Sequence, residues 1–119
     1  MVNLLEETVE VLEEYGKTLE DIEWIGGEDF SISKQRFIIL ANSLYDNGFG
    51  GQEVAKDLVL VGNGFWLERK EYDGSEWWEY KELPIRHFEE DVFAITFNQT
   101  KGGYKKWVTL KEMNEKEEV

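Results

Sequence analysis

Residues 66–83, WLERKEYDGSEWWEYKEL, carry five aromatic residues and six carboxylates around a single Asp-Gly pair. Aromatics interleaved with basic residues would suggest nucleic-acid binding, because phosphates need cations and bases need stacking faces. Here the charge has the opposite sign. Acid pairs beside tryptophans are also typical of glycosidase and sugar-binding clefts, where carboxylates do acid–base work. We do not favour that chemistry, because a chain of 119 residues with two helices and a few strands leaves little room for a deep cleft.

Other candidate catalytic groups are few. His87 is the only histidine and the chain has no cysteine, so soft-metal and thiolate sites are not expected. Residues 47–57, NGFGGQEVAKD, have the glycines of a phosphate-binding loop, but they lack its Lys-Ser/Thr pair and follow a helix instead of a strand. A calcium loop beginning at Asp46 fails as well, because its third and fifth ligand positions are Gly48 and Gly50. We therefore predict that the protein is not an enzyme and has no catalytic residue, no metal and no cofactor.

The strongest global property of the sequence is its negative charge. Twenty-six acidic residues against thirteen basic ones give a net charge of −13, and residues 1–31 alone hold ten acids and one base. Such a charge repels nucleic acids and anionic membranes, so we expect direct binding to neither. The carboxylates of Glu89, Glu90 and Asp91 offer at most nonspecific ion binding. Solubility is the simplest explanation of the acidity, and a basic partner is the alternative.

The sequence also predicts where the protein acts. No stretch approaches the 18 or so apolar residues that a membrane span needs. The N-terminal sequence MVNLLEETVEVLEEYG lacks the basic region and the uninterrupted apolar core of a signal peptide. The absence of cysteine suits a reducing compartment. We therefore expect a cytoplasmic protein.

The first third of the chain predicts two helices. Apolar residues at helical spacing predict a helix over residues 2–15, which Gly16 ends. Residues 22–32 are typical of two short extended segments. Ser33 can cap a second helix that runs from Lys34 to about Tyr45.

The rest of the chain predicts antiparallel strands. Asn63-Gly64 and Asp73-Gly74 are hairpin-turn signals, each flanked by β-branched or aromatic residues. The predicted strands lie near residues 58–62, 65–72 and 75–83, the last ended by Pro84, and residues 92–98 and 104–110 predict a further hairpin around Lys101-Gly102-Gly103.

Strands that follow helices indicate an α+β fold. We expect an antiparallel β-meander of about five strands with two helices packed on one face. No repeat or low-complexity linker interrupts the sequence, so we predict a single domain over residues 1–119. Residues 111–119 are expected to form a frayed acidic tail or a short exposed helix.

The register of the hairpin around Asp73-Gly74 stays open at this point. A two-residue loop would set Glu68 opposite Glu79 and Glu71 opposite Glu76. A three-residue loop with a bulge would set Lys70 opposite Glu76, which the charges favour modestly.

The register decides which tryptophan is exposed, since adjacent Trp77 and Trp78 must point to opposite faces. Phe65 and Leu67 are predicted to form the core face of the central strand. The bulged register places Trp77 with them in the core. The aromatics expected on the open face are then Trp66, Trp78 and Tyr80.

The N-terminal helix gives the clearest functional indication. Glu6–Glu10 and Glu10–Glu14 are like-charge i,i+4 pairs, each costing about 0.2–0.5 kcal/mol, and no basic residue interrupts this face before Lys17. A surface of one sign favours docking of a basic partner. Exposed Trp or Tyr beside carboxylates suits the same role, because Arg stacks on aromatic rings. The predicted partner-binding residues are Glu6, Glu7, Glu10, Glu13, Glu14, Trp66, Trp78 and Tyr80.

Residues 48–84, GFGGQEVAKDLVLVGNGFWLERKEYDGSEWWEYKELP, resemble segments of small, functionally unassigned proteins of Firmicutes phages and prophages. The opening LLEETVEVLEEYGKTLEDIEWIG resembles them more loosely, and in size and charge the chain is similar to anti-CRISPR inhibitors. The segment resemblance brings no catalytic motif and no established activity with it. Together with the acidic face of the N-terminal helix, the similarity in size and charge favours a non-catalytic, phage-encoded inhibitor acting in the cytoplasm of a bacterial host cell. Its expected partner is the basic nucleic-acid-binding surface of a host defence nuclease, such as a Cas effector, bound by nucleic-acid mimicry.

Two alternatives stay open. The protein could be an immunity protein that neutralises a basic nuclease toxin through the same acidic face. It could also be a structural or assembly module of a phage, in which case the open sheet face would bind the partner.

Overall fold

The computed structural model describes residues 1–48, 50–100 and 107–115, and these form an α+β fold. The chain divides into two compact units, Met1–Pro84 and Ile85–Val119. A single domain over residues 1–119 therefore stays a prediction. Among the described residues, no helix combines the length and the apolar character that crossing a membrane requires.

The first unit contains a five-stranded antiparallel sheet, two α-helices, a two-stranded ribbon and a 3-10 helix over Leu19–Asp21. Along the chain the strands and α-helices are β1 (Val2–Asn3), α1 (Leu4–Glu14), β2 (Ile22–Gly26), β3 (Ser31–Ile32), α2 (Lys34–Ala41), β4 (Leu44–Tyr45), β5 (Val59–Gly62), β6 (Phe65–Tyr72) and β7 (Ser75–Glu82). The order in the main sheet is β3-β2-β5-β6-β7, and β1 pairs with β4 in the ribbon. The predicted meander β5-β6-β7 is confirmed, whereas β2 and β3 supply the other two strands.

Capping side chains begin both helices. The side chain of Asn3 accepts a hydrogen bond from the Glu6 amide at 3.0 Å, and that of Ser33 accepts one from the Arg36 amide at the same distance. The predicted cap at Ser33 is confirmed. The second helix is shorter than predicted, because it ends at Ala41 and the chain turns into β4, which pairs with β1.

The hairpin β6–β7 closes with a two-residue loop. Asp73 and Gly74 both have positive φ, at 50° and 84°, as a type I′ turn requires. The register sets Glu71 opposite Glu76 and Glu68 opposite Glu79, so the bulged register that the charges favoured is wrong. Glu71 and Glu76 tolerate this position because each carboxylate has another partner: Gln52 donates to Glu71, and the buried Glu76 is bound by a cation and two backbone amides.

This register reverses the predicted orientation of the two tryptophans. Trp78 lies opposite Arg69 on the face that the helices cover and is 4% exposed, whereas Trp77 is 39% exposed on the other face. The placement of Trp78 on the open face is therefore wrong. Tyr80 also lies on the covered face, because it is two residues along β7 from Trp78, and it is half-buried.

One hydrophobic core joins the covered face of the sheet to both helices. Phe65 and Leu67 of β6 belong to it, as predicted. The other buried members are Leu12 of α1, Phe37 and Ala41 of α2, and Ile22, Ile25, Leu60 and Trp78 of the sheet. Alternate residues of β5, β6 and β7 thus face the helices, and in β2 a register shift between Ile22 and Trp24 lets Ile22 and Ile25 both face them. The opposite face of the sheet is left without a helix of the first unit.

The second unit contains little regular structure among its described residues. A 3-10 helix over Phe97–Gln99 replaces the strand predicted for residues 92–98, so that prediction is wrong. Thr96 and Gln99 form a capping box, which fixes a turn where alternation had suggested extended chain. The Asn114 side chain accepts hydrogen bonds from the amides of Phe93 and Ala94, at 2.9 and 3.0 Å.

The other elements predicted for this unit lie partly outside the described residues. That is the case for the turn Lys101-Gly102-Gly103 and for the first part of the partner strand 104–110. Residues 107–109 form no strand, and α3 (Leu110–Met113) follows them. The short helix agrees with one of the two forms expected for the tail, whose residues 116–119 are not described.

The buried position of Trp78 generates a stability prediction. Trp78→Ala removes a large core side chain and should lower the free energy of unfolding by about 3–5 kcal/mol, which is most of the stability of a small domain. Trp77→Ala is the matched control and should melt close to the wild type. Thermal melts followed by circular dichroism measure both. Equal melting temperatures for the two variants would contradict the register.

Candidate functional site

The exposed side of α1 carries four carboxylates in a row. We call Glu6, Glu10, Glu13 and Glu14 the acidic stripe, and all four are exposed. Among the described residues, none of these carboxylates forms a salt bridge with a Lys or Arg. The last turn of the helix also lacks a basic residue. The stripe is therefore a surface of one sign, as predicted.

Glu7 does not belong to the acidic stripe, although it was predicted to bind a partner. Its carboxylate points to the flank of α1, where it accepts a hydrogen bond from the Tyr45 hydroxyl at 2.6 Å and pairs with Arg69 at 3.3 Å. At helical spacing Glu7 lies close to the apolar side chains of Val11 and Leu4, so it is the acid nearest to the core. Glu7 has an internal, structural position.

Arg69 lies at the centre of a buried polar cluster. Its side chain is 4% exposed, and it donates to Glu76 at 2.7 Å and to the Tyr45 hydroxyl at 3.1 Å. Its guanidinium also lies over the Trp78 ring, 4.6 Å from the centroid. We call Arg69, Glu7, Glu76 and Tyr45 the Arg69 cluster. Nε of Arg69 has no hydrogen-bond partner among the described residues.

The second carboxylate of the Arg69 cluster holds a loop in place. Glu76 accepts hydrogen bonds from the backbone amides of Glu53 and Val54, at 2.6 and 3.3 Å. The backbone amide of Glu76 donates to the carbonyl of Asn47 at 2.8 Å. This loop therefore forms hydrogen bonds with Glu76, at the start of β7, from both of its ends: from Asn47 at one end and from Glu53 and Val54 at the other. The sequence did contain a signal for the cluster, since period-two alternation places Arg69 on the same face as Phe65 and Leu67.

Hydrogen bonding and burial shift the pKa values of two groups in this cluster, Tyr45 and Arg69. Burial raises the pKa of Tyr45 to about 12, and its hydrogen bond to Glu7 acts in the same direction. Burial alone would lower the pKa of Arg69, but hydrogen bonds to Tyr45 and Glu76 outweigh it and raise the pKa. Arg69 is therefore charged and Tyr45 neutral at ordinary pH.

Tyr80 lies beside the C-terminal end of α1. Its ring stacks on the ring of Tyr15, with centroids 3.9 Å apart and planes within 5°. Tyr15 is 49% exposed, and Tyr80 is half-buried between it and Phe65. Burial is the largest cause that raises the pKa of Tyr80, and the nearby negative charge of Glu82 raises it further. The predicted residue Tyr80 is thus close to the acidic stripe, and Tyr15 is its unpredicted neighbour.

The other face of the sheet carries the remaining tryptophans. Trp66 lies there, as predicted, and its indole N–H donates to Glu68 at 2.9 Å, which is the main cause of the lowered pKa of Glu68. Trp24 and Trp77 share this face and are partly exposed. We call the surface formed by Trp24, Trp66, Trp77, Glu68, Lys70, Glu79 and Lys81 the open face. Its charges balance, because Lys70 pairs with Glu68 and Lys81 with Glu79, at 3.5 and 3.0 Å.

The predicted binding residues therefore belong to different surfaces. α1 contacts the covered side of the sheet, where Thr8 accepts a hydrogen bond from the Trp78 indole at 2.9 Å. The acidic stripe points away from that side, and Trp66 lies on the opposite side of the sheet. One partner surface cannot contact the acidic stripe and the open face together without wrapping around the sheet.

A metal site and a ligand groove each place their own requirements on the described residues. No group of three or more His, Asp and Glu side chains there could hold a metal ion. An open groove of about 320 Å³ lies between α2 and residues 53–58. Its lining is mainly apolar, and Glu53 is the one charged side chain among the described lining residues. The groove lacks the paired acid and base that a hydrolytic site needs.

Comparisons of the chain with protein-family models, curated proteins and solved structures find no match.

The Arg69 cluster generates a prediction about alkaline stability. The Tyr45 pKa of about 12 in the folded protein exceeds the ordinary value of about 10, so folding favours the protonated phenol. The resulting stabilisation is complete below about pH 10 and is lost as the pH rises through about 12. In Tyr45→Phe this contribution is absent, so the free energy of unfolding should fall less steeply across that window.

Urea unfolding of both proteins at several pH values measures the two slopes. The other groups that titrate in this range are common to both proteins and cancel in the comparison. Parallel slopes for the wild type and Tyr45→Phe would show that the hydroxyl of Tyr45 is not held in the neutral form by the fold.

Proposed function

We propose that the protein is a non-catalytic, phage-encoded inhibitor that binds a basic nucleic-acid-binding surface of a host defence nuclease, such as a Cas effector. The acidic stripe on α1 is the binding surface, and it takes the place of a phosphate backbone. Binding blocks the access of nucleic acid to the partner, so inhibition is stoichiometric and competitive.

The charge density of the acidic stripe carries this proposal. From Glu6 to Glu14 the helix rises about 12 Å, at 1.5 Å per residue, so the mean axial spacing of the four carboxylates is about 4 Å, although the individual steps range from about 6 to about 1.5 Å. One strand of duplex DNA carries a phosphate every 3.4 Å or so of its axis. A basic channel that accepts a nucleic-acid strand therefore meets a similar linear density of negative charge on α1.

The position of the last two glutamates adds to the argument. Glu13 and Glu14 lie at the C-terminal end of α1, where the helix dipole is negative and a carboxylate is unfavourable by about 0.3–1 kcal/mol. A Lys at either position would improve helix stability. Solubility alone requires negative charge somewhere on the protein, but it does not require it at this end of the helix.

An aromatic contact is available next to the stripe. The stacked pair Tyr15–Tyr80 places a half-exposed ring at the end of α1. Arginine guanidinium groups stack on such rings, and nucleic-acid-binding channels are rich in arginine. Tyr15 and Tyr80 thus replace Trp78, which is buried, as the aromatic anchors of the proposed surface.

The salt dependence of binding tests the charge contribution. An affinity pull-down with the wild-type protein should capture a nucleic-acid-binding protein from host lysate at about 0.05 M salt and lose it at about 0.5 M, as the Debye length falls from roughly 14 to 4 Å. Mass spectrometry identifies the captured protein. Equal capture at both salt concentrations would contradict a contact made by carboxylates.

Charge reversal tests the location of the contact. Glu6→Lys/Glu10→Lys/Glu13→Lys should leave the fold intact, because all three side chains are exposed, and should abolish partner binding and inhibition.

The matched control reverses the exposed acids Glu28, Glu89 and Glu90 instead, so that both variants change from a net charge of −13 to −7. The control should bind the partner. Normal binding by the stripe variant would show that the acidic stripe is only a solvated helix face, and equal loss in both variants would show that total charge matters and location does not.

The open face favours a second candidate, a structural or assembly module. Trp24 and Trp66 face the same side on strands separated only by β5, so they lie about 10 Å apart, and Trp77 is 39% exposed nearby. Partly exposed tryptophans on a charge-balanced surface are typical of protein interfaces. This candidate predicts binding that resists salt and survives reversal of the acidic stripe, but is lost in Trp24→Ser/Trp66→Ser.

A further inference from the structure

The outer edge of β7 has unsatisfied backbone groups. In the two-residue hairpin, Ser75, Trp77, Glu79 and Lys81 exchange backbone hydrogen bonds with β6, so the N–H and C=O groups of Glu76, Trp78, Tyr80 and Glu82 point outward. The amide of Glu76 is bound by the Asn47 carbonyl. Among the described residues of the first unit, no other segment donates to or accepts from the outward groups of Trp78, Tyr80 or Glu82.

Within the first unit, this edge lacks most of the features that prevent strand pairing. β7 is eight residues long, pairs with β6 without a bulge, and contains no proline before Pro84. Natural sheets protect long edges with bulges, prolines, covering segments or charged side chains, and β7 has the last of these alone, in Glu79, Lys81 and Glu82. Such charges prevent pairing where like charges would meet, so an added strand must bring opposite charges to them.

The geometry of the edge selects one register for pairing with a second copy of β7. In a two-fold antiparallel pair, residues equally distant from the centre lie opposite one another, so the residue at the centre faces its own copy. A centre at Glu79 or Lys81 sets like charges opposite each other. A centre at Trp78 needs the outward amide of Glu76, which Asn47 occupies, and a centre at Glu82 sets Tyr80 opposite Pro84, which lacks an N–H.

A centre at Tyr80 places the occupied amide of Glu76 opposite Pro84 of the second copy, so both conflicts fall on one pair at each end of the paired segment and leave the hydrogen bonds of Trp78, Tyr80 and Glu82 unaffected. This register is also complementary in its side chains. It sets Glu79 opposite Lys81 of the second copy, twice by symmetry, in positions without hydrogen bonds where side chains approach most closely. It also sets Trp77 opposite Leu83 of the second copy, and both are exposed in the single chain, at 39% and 61%.

We propose that the protein forms a two-fold symmetric dimer through antiparallel pairing of β7 with β7 of a second copy, centred on Tyr80. The two sheets join into one sheet of ten strands, and outward groups of Trp78, Tyr80 and Glu82 are paired across the axis. The acidic stripes of both copies lie on the same side of the joined sheet. The inference goes beyond the proposed function and does not depend on it, since it needs no other partner.

Sedimentation velocity of the purified full chain, from micromolar to millimolar concentration, tests the dimer directly. The wild type should convert from the mass of one chain to the mass of two as concentration rises. A wild type that stays monomeric at millimolar concentration would overturn the proposal.

Charge reversals test the register. Glu79→Lys sets two ammonium groups opposite each other across the dimer axis, and Lys81→Glu sets two carboxylates opposite each other, so each should raise the dimer dissociation constant about tenfold or more. The double variant Glu79→Lys/Lys81→Glu restores both opposite-charge pairs and should dimerise like the wild type. Failure of the double variant to recover, or dimers unaffected by either single reversal, would overturn the pairing centred on Tyr80.

A backbone variant provides a second, independent test. The amide of Glu82 points away from β6, so Glu82→Pro leaves the hairpin intact and places the proline ring at the outer edge. This variant should be monomeric with a wild-type circular dichroism spectrum. A dimer formed by Glu82→Pro with wild-type affinity would show that association uses another surface.

Discussion

The buried charge of Arg69 is the constraint on which much of the first unit depends. A guanidinium that is 4% exposed requires carboxylate partners, because an unpaired buried charge costs several kcal/mol. The chain supplies them from α1, through Glu7, and from β7, through Glu76. The Tyr45 hydroxyl of β4 links Glu7 to Arg69, because it donates to the carboxylate and accepts from the guanidinium. Removal of either carboxylate would leave an incomplete cluster next to Trp78. The two carboxylates and one guanidinium leave the cluster with a net charge of −1, which the amides of Glu53 and Val54 help to stabilise.

The same cluster fixes the orientation of the acidic helix. Glu7 must face Arg69, and Thr8 must accept the hydrogen bond of the Trp78 indole, so α1 can rotate little about its axis. The acidic stripe is then directed away from the sheet. The inward position of Glu7 thus determines that the four glutamates of the acidic stripe face solvent. The Arg69 cluster and the proposed binding surface both follow from this one orientation of α1.

The sheet separates two surfaces of different chemistry. The acidic stripe is charged, has one sign and lies above the covered side, whereas the open face is aromatic and its Lys–Glu pairs balance. The first surface suits a basic partner, with long-range attraction that salt weakens. The second suits a contact made by burial of apolar area, which salt affects little. A partner that uses one surface leaves the other free, so the two candidate functions can be separated by experiment.

The sequence by itself determined the features that depend on neighbouring residues. The acidic face of α1, the cap at Ser33, the turns at Asn63-Gly64 and Asp73-Gly74, and the alternation of Phe65 and Leu67 with Trp66 all follow from local spacing, and the structure has each of them. Only the tertiary structure decided which acid is internal and which tryptophan is buried. Glu7 meets Arg69 across 62 residues and Thr8 meets Trp78 across 70, and the carboxylate of Glu76 is satisfied from a loop more than 20 residues away. The charges of opposing side chains favoured the wrong register because they leave out every other contact of the hairpin. The observed register is the one in which Asp73 and Gly74 form a two-residue turn with positive φ, and distant partners satisfy the carboxylate of Glu76.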